Sequence, residues 1–262
     1  MKLEIFQVDA FTSKPFGGNP AAVVPLTEWL PDELMLKIAA ENNLSETAFF
    51  VKNGDVYDIR WFTPTIEVNL CGHATLASSH VIFECIKAEK EFINFRSDRS
   101  GALGVQKMGD RLILDFPSFP VTEIEHIAEL SVAVGKIPAQ MWETQGNMVM
   151  LLLENETEVR EADPDMSALA NVPYDEVIVT AGGDDSDFVS RMFAPRIGIP
   201  EDPVTGAIHC SLIPYWAGRL SKSELFARQV SKRGGELFCE NVNERVKIGG
   251  NAVLYLKGEI YV

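Results

Sequence analysis

The chain has 262 residues, of which 38 are acidic and 23 basic, giving a formal charge of −15. With 46% hydrophobic and 23% charged residues, it has the make-up of a globular protein, not of a disordered or fibrous one, and its length allows one or two domains. So acidic a balance argues against nucleic acid and against an anionic membrane surface as partners, although a local pocket can still hold a small anion.

Met1 to Asp9 alternate apolar and polar residues, with charges where a signal peptide would be apolar, and read as a first strand. Further strands are expected at 21–25, 47–51, 56–62, 92–95, 102–107 and 111–116, with hairpin turns at Asn53-Gly54-Asp55 and Met108-Gly109-Asp110. Pro31-Asp32 opens a helix predicted over Asp32 to Asn42, with Leu34, Ile38 and Ala39 on one face. Residues 73–86 are apolar nearly all round, the pattern of a buried helix. The second half offers strands at 148–153, 177–181, 188–193, 228–231, 237–241, 245–249 and 252–262. It also offers a second buried helix over 205–218, interrupted at Pro214. The run 148–153 is the longest apolar stretch and far too short to span a bilayer. Cys71, Cys85, Cys210 and Cys239 have no CxxC spacing and read as reduced thiols of a soluble, cytoplasmic protein. The fold class is α+β, with mostly antiparallel sheets around central helices.

Four anchors recur in order. Gly18-Asn19 before an apolar run matches Gly146-Asn147, and Pro31-Asp32 matches Pro164-Asp165. Phe62-Thr63-Pro64 matches Phe193-Ala194-Pro195, and Gly72 matches Gly206 at the heads of the two buried helices. The spacings are 128, 133, 131 and 134 residues, which points to a duplicated domain.

A helix head carries unpaired N–H groups and partial positive charge, so two such heads offer an acidic protein a way to hold a carboxylate without Lys or Arg. The alternative is that Gly72 and Gly206 serve only tight turns. Three proton carriers stand near these heads. Glu46 precedes an apolar strand, where desolvation suits a carboxylate to acid/base work, or it is simply an exposed strand end. His73, at a helix start, is expected to be a neutral imidazole, or a buried or capping histidine. Asp202 is a third candidate, or the cap of the helix that follows. No metal is expected, because Cys71 and His73 have no third ligand at recognisable spacing. Gly17-Gly18-Asn19-Pro20 precedes a strand and makes a poor nucleotide loop.

Five linked segments, Gly17-Gly18-Asn19-Pro20-Ala21, Asn43 to Phe49, Arg60-Trp61-Phe62-Thr63-Pro64, Cys71-Gly72-His73-Ala74-Thr75 and Glu201 to Gly206, resemble the signature of the phenazine-biosynthesis PhzF-like isomerase family. The resemblance implies the diaminopimelate-epimerase-like fold: two pseudo-symmetric domains, each a barrel-like sheet around a central helix, with the active site in the cleft between them. The domains would be 1–115, completed by about 254–262, and 116–253. It implies no cofactor and a homodimer. It also implies Glu46 as catalytic acid/base with His73 and Asp202 assisting, and Asn19, Gly72, His73, Thr205 and Gly206 contacting a small carboxylated substrate. Two departures stand out. Ala207 occupies the place of a serine in the phenazine enzyme, and the second motif, Asp202-Pro203-Val204-Thr205, has no cysteine to partner Cys71, as a two-thiol racemase would require.

Overall fold

The computed structural model describes residues 1–87 and 90–262. The chain forms two compact units, unit 1 from Met1–Phe116 with Ile248–Val262 and unit 2 from Pro117–Lys247. Unit 1 takes the chain back at Ile248, ahead of residue 254, because Ile248 to Gly250 are already buried there. Gly250 lies so close to Phe11 that an added Cβ would meet its ring at 2.4 Å.

Unit 1 opens with β1 (Lys2–Ala10), β2 (Asn19–Leu26), α1 (Asp32–Asn42), β3 (Glu46–Asn53), β4 (Val56–Phe62), β5 (Glu67–Val68) and α2 (Gly72–His80). It continues with β6 (Phe92–Ser97), β7 (Gly101–Met108) and β8 (Arg111–Pro117). The turn from β1 to β2 needs Gly18: its φ is +61°, and a Cβ would sit 2.0 Å from the Ala10 carbonyl oxygen. β1 and β2 pair antiparallel, whereas β2 and β3, bridged by α1, pair parallel, as a helical crossover demands. Met35, Ile38 and Ala39 of α1 pack with Val24, Phe49 and Phe62 in one apolar core. α2 is shorter than expected, since Val81–Cys85 continue as a π-helical turn. Every α2 residue from His73 to Ser79 is buried. Small residues permit this, and the hydroxyls of Thr75, Ser78 and Ser79 donate to carbonyls one turn back at 2.6, 2.8 and 2.8 Å. The helix packs on β1, β2 and β3 and is the centre of the unit.

Unit 2 holds β9 (Thr122–Ile124), α3 (Ala128–Val134), β10 (Gln140–Thr144), β11 (Met148–Leu152), α4 (Glu156–Glu161), α5 (Met166–Asn171), β12 (Glu176–Gly182) and β13 (Phe188–Ala194). Then come β14 (Ile199–Asp202), α6 (Gly206–Leu220), β15 (Glu224–Gln229), β16 (Gly235–Val242) and β17 (Arg245–Gly250), whose end re-enters unit 1. The last strand, β18 (Ala252–Tyr261), pairs along β1 in unit 1, from Lys2↔Tyr261 to Ala10↔Ala252. β11 and β12 pair parallel, as β2 and β3 do.

α6 runs through Pro214 without interruption. The carbonyl of Cys210 that Pro214 leaves without a helical donor accepts instead from the Phe119 N–H, at 2.8 Å. Trp216 stacks on Phe188 with ring centroids 5.7 Å apart and donates to Thr180 Oγ1 at 3.0 Å, fixing the helix to β12 and β13. Strand β15 starts and ends earlier than expected, because Ser231 turns away to bond the Pro203 carbonyl at 2.7 Å.

The repeat extends to an unforeseen pair of arginines. Arg60 grips Glu67 with two bonds of 2.7 and 2.8 Å and lies over Phe62, while Arg191 grips Glu201 at 2.7 and 3.1 Å and lies over Phe193. In each unit the bidentate clamp ties the F-x-P strand to the short strand that leads to the core helix. Among the described residues no helix is long and apolar enough to cross a membrane.

Candidate functional site

Unit 1 gathers the side chains of Asn19, Glu46, Cys71 and His73 in one buried cluster. Asn43, in the left-handed conformation with φ +50°, ends α1 and redirects the chain so that β3 begins at Glu46. Glu46 is only 9% exposed, and its Oε2 lies 3.1 Å from His73 Nε2. The contact has the length of an ion pair but lies off the line of the ring N–H, so that Oε2 has no well-aligned donor among the described residues. Asn19 comes from the start of β2, behind the Gly18 turn that Asp9 closes by accepting from the Phe16 N–H at 2.8 Å. Its amide is 3.2 Å from His73 Nδ1. A half-turn exchanges amide oxygen and nitrogen, so Asn19 can accept from an imidazolium or donate to a neutral ring.

His73 departs from the expected neutral imidazole. Burial opposes its charge, but Cys71 and Glu46 outweigh that opposition and raise it well above the ordinary histidine range. Burial, then the charge of Glu46, pushes the Cys71 thiol itself up to about 11. Cys71 is therefore a thiol at neutral pH, and the raising influence left on His73 is that of Glu46. The helix-head effect expected from sequence is weaker than a carboxylate at contact distance. Cys71 Sγ lies 3.5 Å from Nδ1 and 3.9 Å from Nε2. The ligand atoms of Glu46, Cys71 and His73 all lie within 4.8 Å of one another, close enough to hold a metal ion. Spacing alone missed this trio because its third member arrives from β3.

Unit 2 builds a second polar cluster at the head of α6. Thr205 and Cys71 are the N-cap residues of α6 and α2; both are extended, and neither caps its helix with its side chain. Gly72 and Gly206 are thus first helical residues, not positive-φ turns. Thr205 Oγ1 donates to Asp202 Oδ2 at 2.5 Å. Asp202 therefore anchors the cap residue and is not itself the cap. Gln229, fully buried on β15, was not anticipated. Its Oε1 accepts from the Thr205 N–H at 2.8 Å, and its Nε2 donates to the Asp202 carbonyl at 2.9 Å and to Thr205 Oγ1 at 3.2 Å. The signal lay in the alternation Leu225, Ala227, Gln229, all on the buried face. One turn into α6, His209 is fully buried, and its Nδ1 donates to the Thr205 carbonyl at 2.8 Å.

A model of the phenazine biosynthesis-like protein family matches residues 8–258. The chain belongs to the PhzF-like isomerase family. A Pseudomonas aeruginosa relative bearing the name of an isomerase is 54% identical over 99% of both chains. The crystal structure of a PhzF-family protein from Enterococcus faecalis superposes with a TM-score of 0.97, at 47% identity over 100% of both chains. A hydroxyproline epimerase from Agrobacterium vitis, 10% identical, shares the fold with a TM-score of 0.62 over 99% of this chain and 91% of its own. The fold of this PhzF-like chain is thus α+β and epimerase-like. Its fold relatives include racemases and epimerases, but the place equivalent to Cys71 in unit 2 is Thr205, which cannot serve as a second thiol.

Proposed function

We propose that the protein is a cofactor-independent isomerase that moves a proton within a small carboxylated molecule, with Glu46 as acid/base. The buried Glu46–His73 contact carries this reading. The Glu46 carboxylate takes a proton from carbon, and the C–H electron pair stays with the substrate as a delocalised anion. Returning that proton to a second carbon completes the shift, with no net change in protons or electrons. A proton on His73 balances the charge that develops on the substrate. The N–H groups of Gly72 and Gly206, at the heads of α2 and α6, serve carboxylate binding; Thr205, whose own N–H goes to Gln229, stands beside the α6 head, and Asn19 and Asp202 hold the groups next to them in place. Ala207, lacking a hydroxyl, favours a substrate other than the phenazine precursor.

The test screens carboxylated metabolites for thermal stabilisation of the protein, and then follows deuterium uptake from D2O into each stabilising compound by mass spectrometry. Glu46→Gln is expected to retain ligand stabilisation and to lose deuterium incorporation. A variant that still exchanges at the wild-type rate would overturn the assignment of Glu46. A ligand that stabilises the wild type and never exchanges hydrogen would mark a binding protein instead.

A further inference from the structure

Three side chains that meet at the head of α2 bring together one oxygen, one nitrogen and one sulfur donor. Glu46 Oε2 is 3.1 Å from His73 Nε2, and Cys71 Sγ is 3.9 Å from the same nitrogen. Around a tetrahedral zinc ion, oxygen and nitrogen ligands stand about 3.3 Å apart, and sulfur and nitrogen ligands about 3.6 Å apart. The observed separations straddle those values. All three residues are buried, and no other such group of ligands occurs among the described residues.

Two further observations point to a cation. Glu46 is 9% exposed, yet its buried Oε2 has no well-aligned hydrogen-bond donor among the described residues. A hydrogen bond wants that oxygen along the ring N–H, whereas two ligands of one ion stand at an angle about it. The Asn19 amide, 3.2 Å from Nδ1, can accept the N–H on the far side of the ring and leave Nε2 to bind, the usual arrangement of a metal-bound histidine. Charge closes as well. A carboxylate, a thiolate and a neutral imidazole cancel a dipositive ion, so the buried site would bear no net charge. Cys71 is the N-cap residue of α2, where the partial positive charge of the helix favours a thiolate. At the matching positions of unit 2 stand Thr205 and Ala207, and an alanine side chain offers no donor at all.

We propose that Glu46, Cys71 and His73 bind one zinc ion reversibly, with its fourth position open to water. Binding releases the thiol proton, and any proton on the imidazole, to solvent, and no electron is transferred. Mixed oxygen, nitrogen and sulfur donors suit zinc, which is borderline in softness, over magnesium or calcium, which take oxygen. The ion is an inhibitor, because it occupies the carboxylate proposed to move the proton. That consequence rests on the acid/base reading of Glu46. The ion itself is measured without substrate, so the two can fail separately.

The test is equilibrium dialysis of the reduced, substrate-free protein against micromolar zinc chloride, with the metal counted by mass spectrometry and cobalt(II) as a spectroscopic stand-in. One zinc per chain is expected, and with cobalt a thiolate-to-metal charge-transfer band beside the strong visible bands of a tetrahedral ion. Cys71→Ser and Glu46→Gln should each weaken zinc binding by on the order of 100-fold. Cys71→Ser should also lose the charge-transfer band, whereas Cys85→Ser, at a half-buried thiol outside the cluster, should change neither. A wild type that takes up no zinc would overturn the site, as would uptake that Cys71→Ser does not weaken. Should Cys71→Ser not fold, a wild-type cobalt spectrum without the charge-transfer band refutes the site alone. Zinc is then expected to stop deuterium exchange on a responsive substrate, and EDTA to restore it. Exchange that persists in the zinc-loaded protein would refute Glu46 as acid/base and leave the site standing.

Discussion

Replacing His209 by Gln should make the protein more resistant to acid. The imidazole is fully buried on α6, and its Nδ1 donates to the Thr205 carbonyl. Nε2 is therefore the bare ring nitrogen, and it faces no partner among the described residues. Burial holds the ring down to about 4, and the bond to Thr205 offsets this only in part. A histidine whose folded value lies below its unfolded value near 6.5 gives stability that is complete above 6.5 and drains away as the pH falls toward 4. With those two values, going from about pH 7.5 to about pH 4.5 costs the wild type about 2.5 kcal/mol through this residue alone. Glutamine keeps a donor for Thr205 and cannot take up a proton. Urea denaturation of both proteins across that range should thus show the stability difference shifting in favour of the variant by about 2.5 kcal/mol, while all other titrating groups cancel. A difference that stays constant with pH would refute the reasoning, whatever its absolute size.

Other expectations follow from contacts already described. Gln229→Ala removes three hydrogen bonds from the Asp202–Thr205 cluster and leaves buried groups unpaired, so denaturant melts should show a loss of about 2–4 kcal/mol. Gly18→Ala forces a Cβ against the Ala10 carbonyl at positive φ and should cost about 2 kcal/mol or more, read from the same melts. Cys71→Ser should leave deuterium exchange on a responsive substrate within a few-fold of wild type near neutral pH, since the thiol there is un-ionised; a loss comparable to that of Glu46→Gln would return the thiol to the chemistry.

The elements with strong periodicity were legible from sequence: α1 begins and ends where the pattern places it, and β4 agrees at both ends. Short elements escaped. The helices α4 and α5 are six residues each, too brief for a hydrophobic period to register, and are held by the caps Asn155 and Asp165. Pro214 misled because the donor that relieves its helix, the Phe119 N–H, lies far off in sequence. The same limit governs the polar clusters. The motif residues Glu46, Cys71 and His73 were visible singly, but their mutual distances, and hence the direction in which His73 is shifted, depend on β3 meeting the head of α2. Gln229 lay inside an expected strand, where only its burial distinguishes it. The arginine clamps went unnoticed because the partners Glu67 and Glu201 lie seven and ten residues further on, each on the following short strand.

The pairing of β18 with β1 sets an order of events during synthesis. Unit 2 is one uninterrupted stretch, whereas unit 1 is interrupted by it, and β1 finds its long antiparallel partner only after β9 to β17 have been made. A ribosome releasing the chain from the N-terminus thus presents β1 with one edge unpaired while unit 2 is already able to collapse. An unpaired strand edge invites pairing with other chains. Chaperone dependence and aggregation of this protein should therefore concentrate in the interval between completion of unit 2 and the emergence of β18.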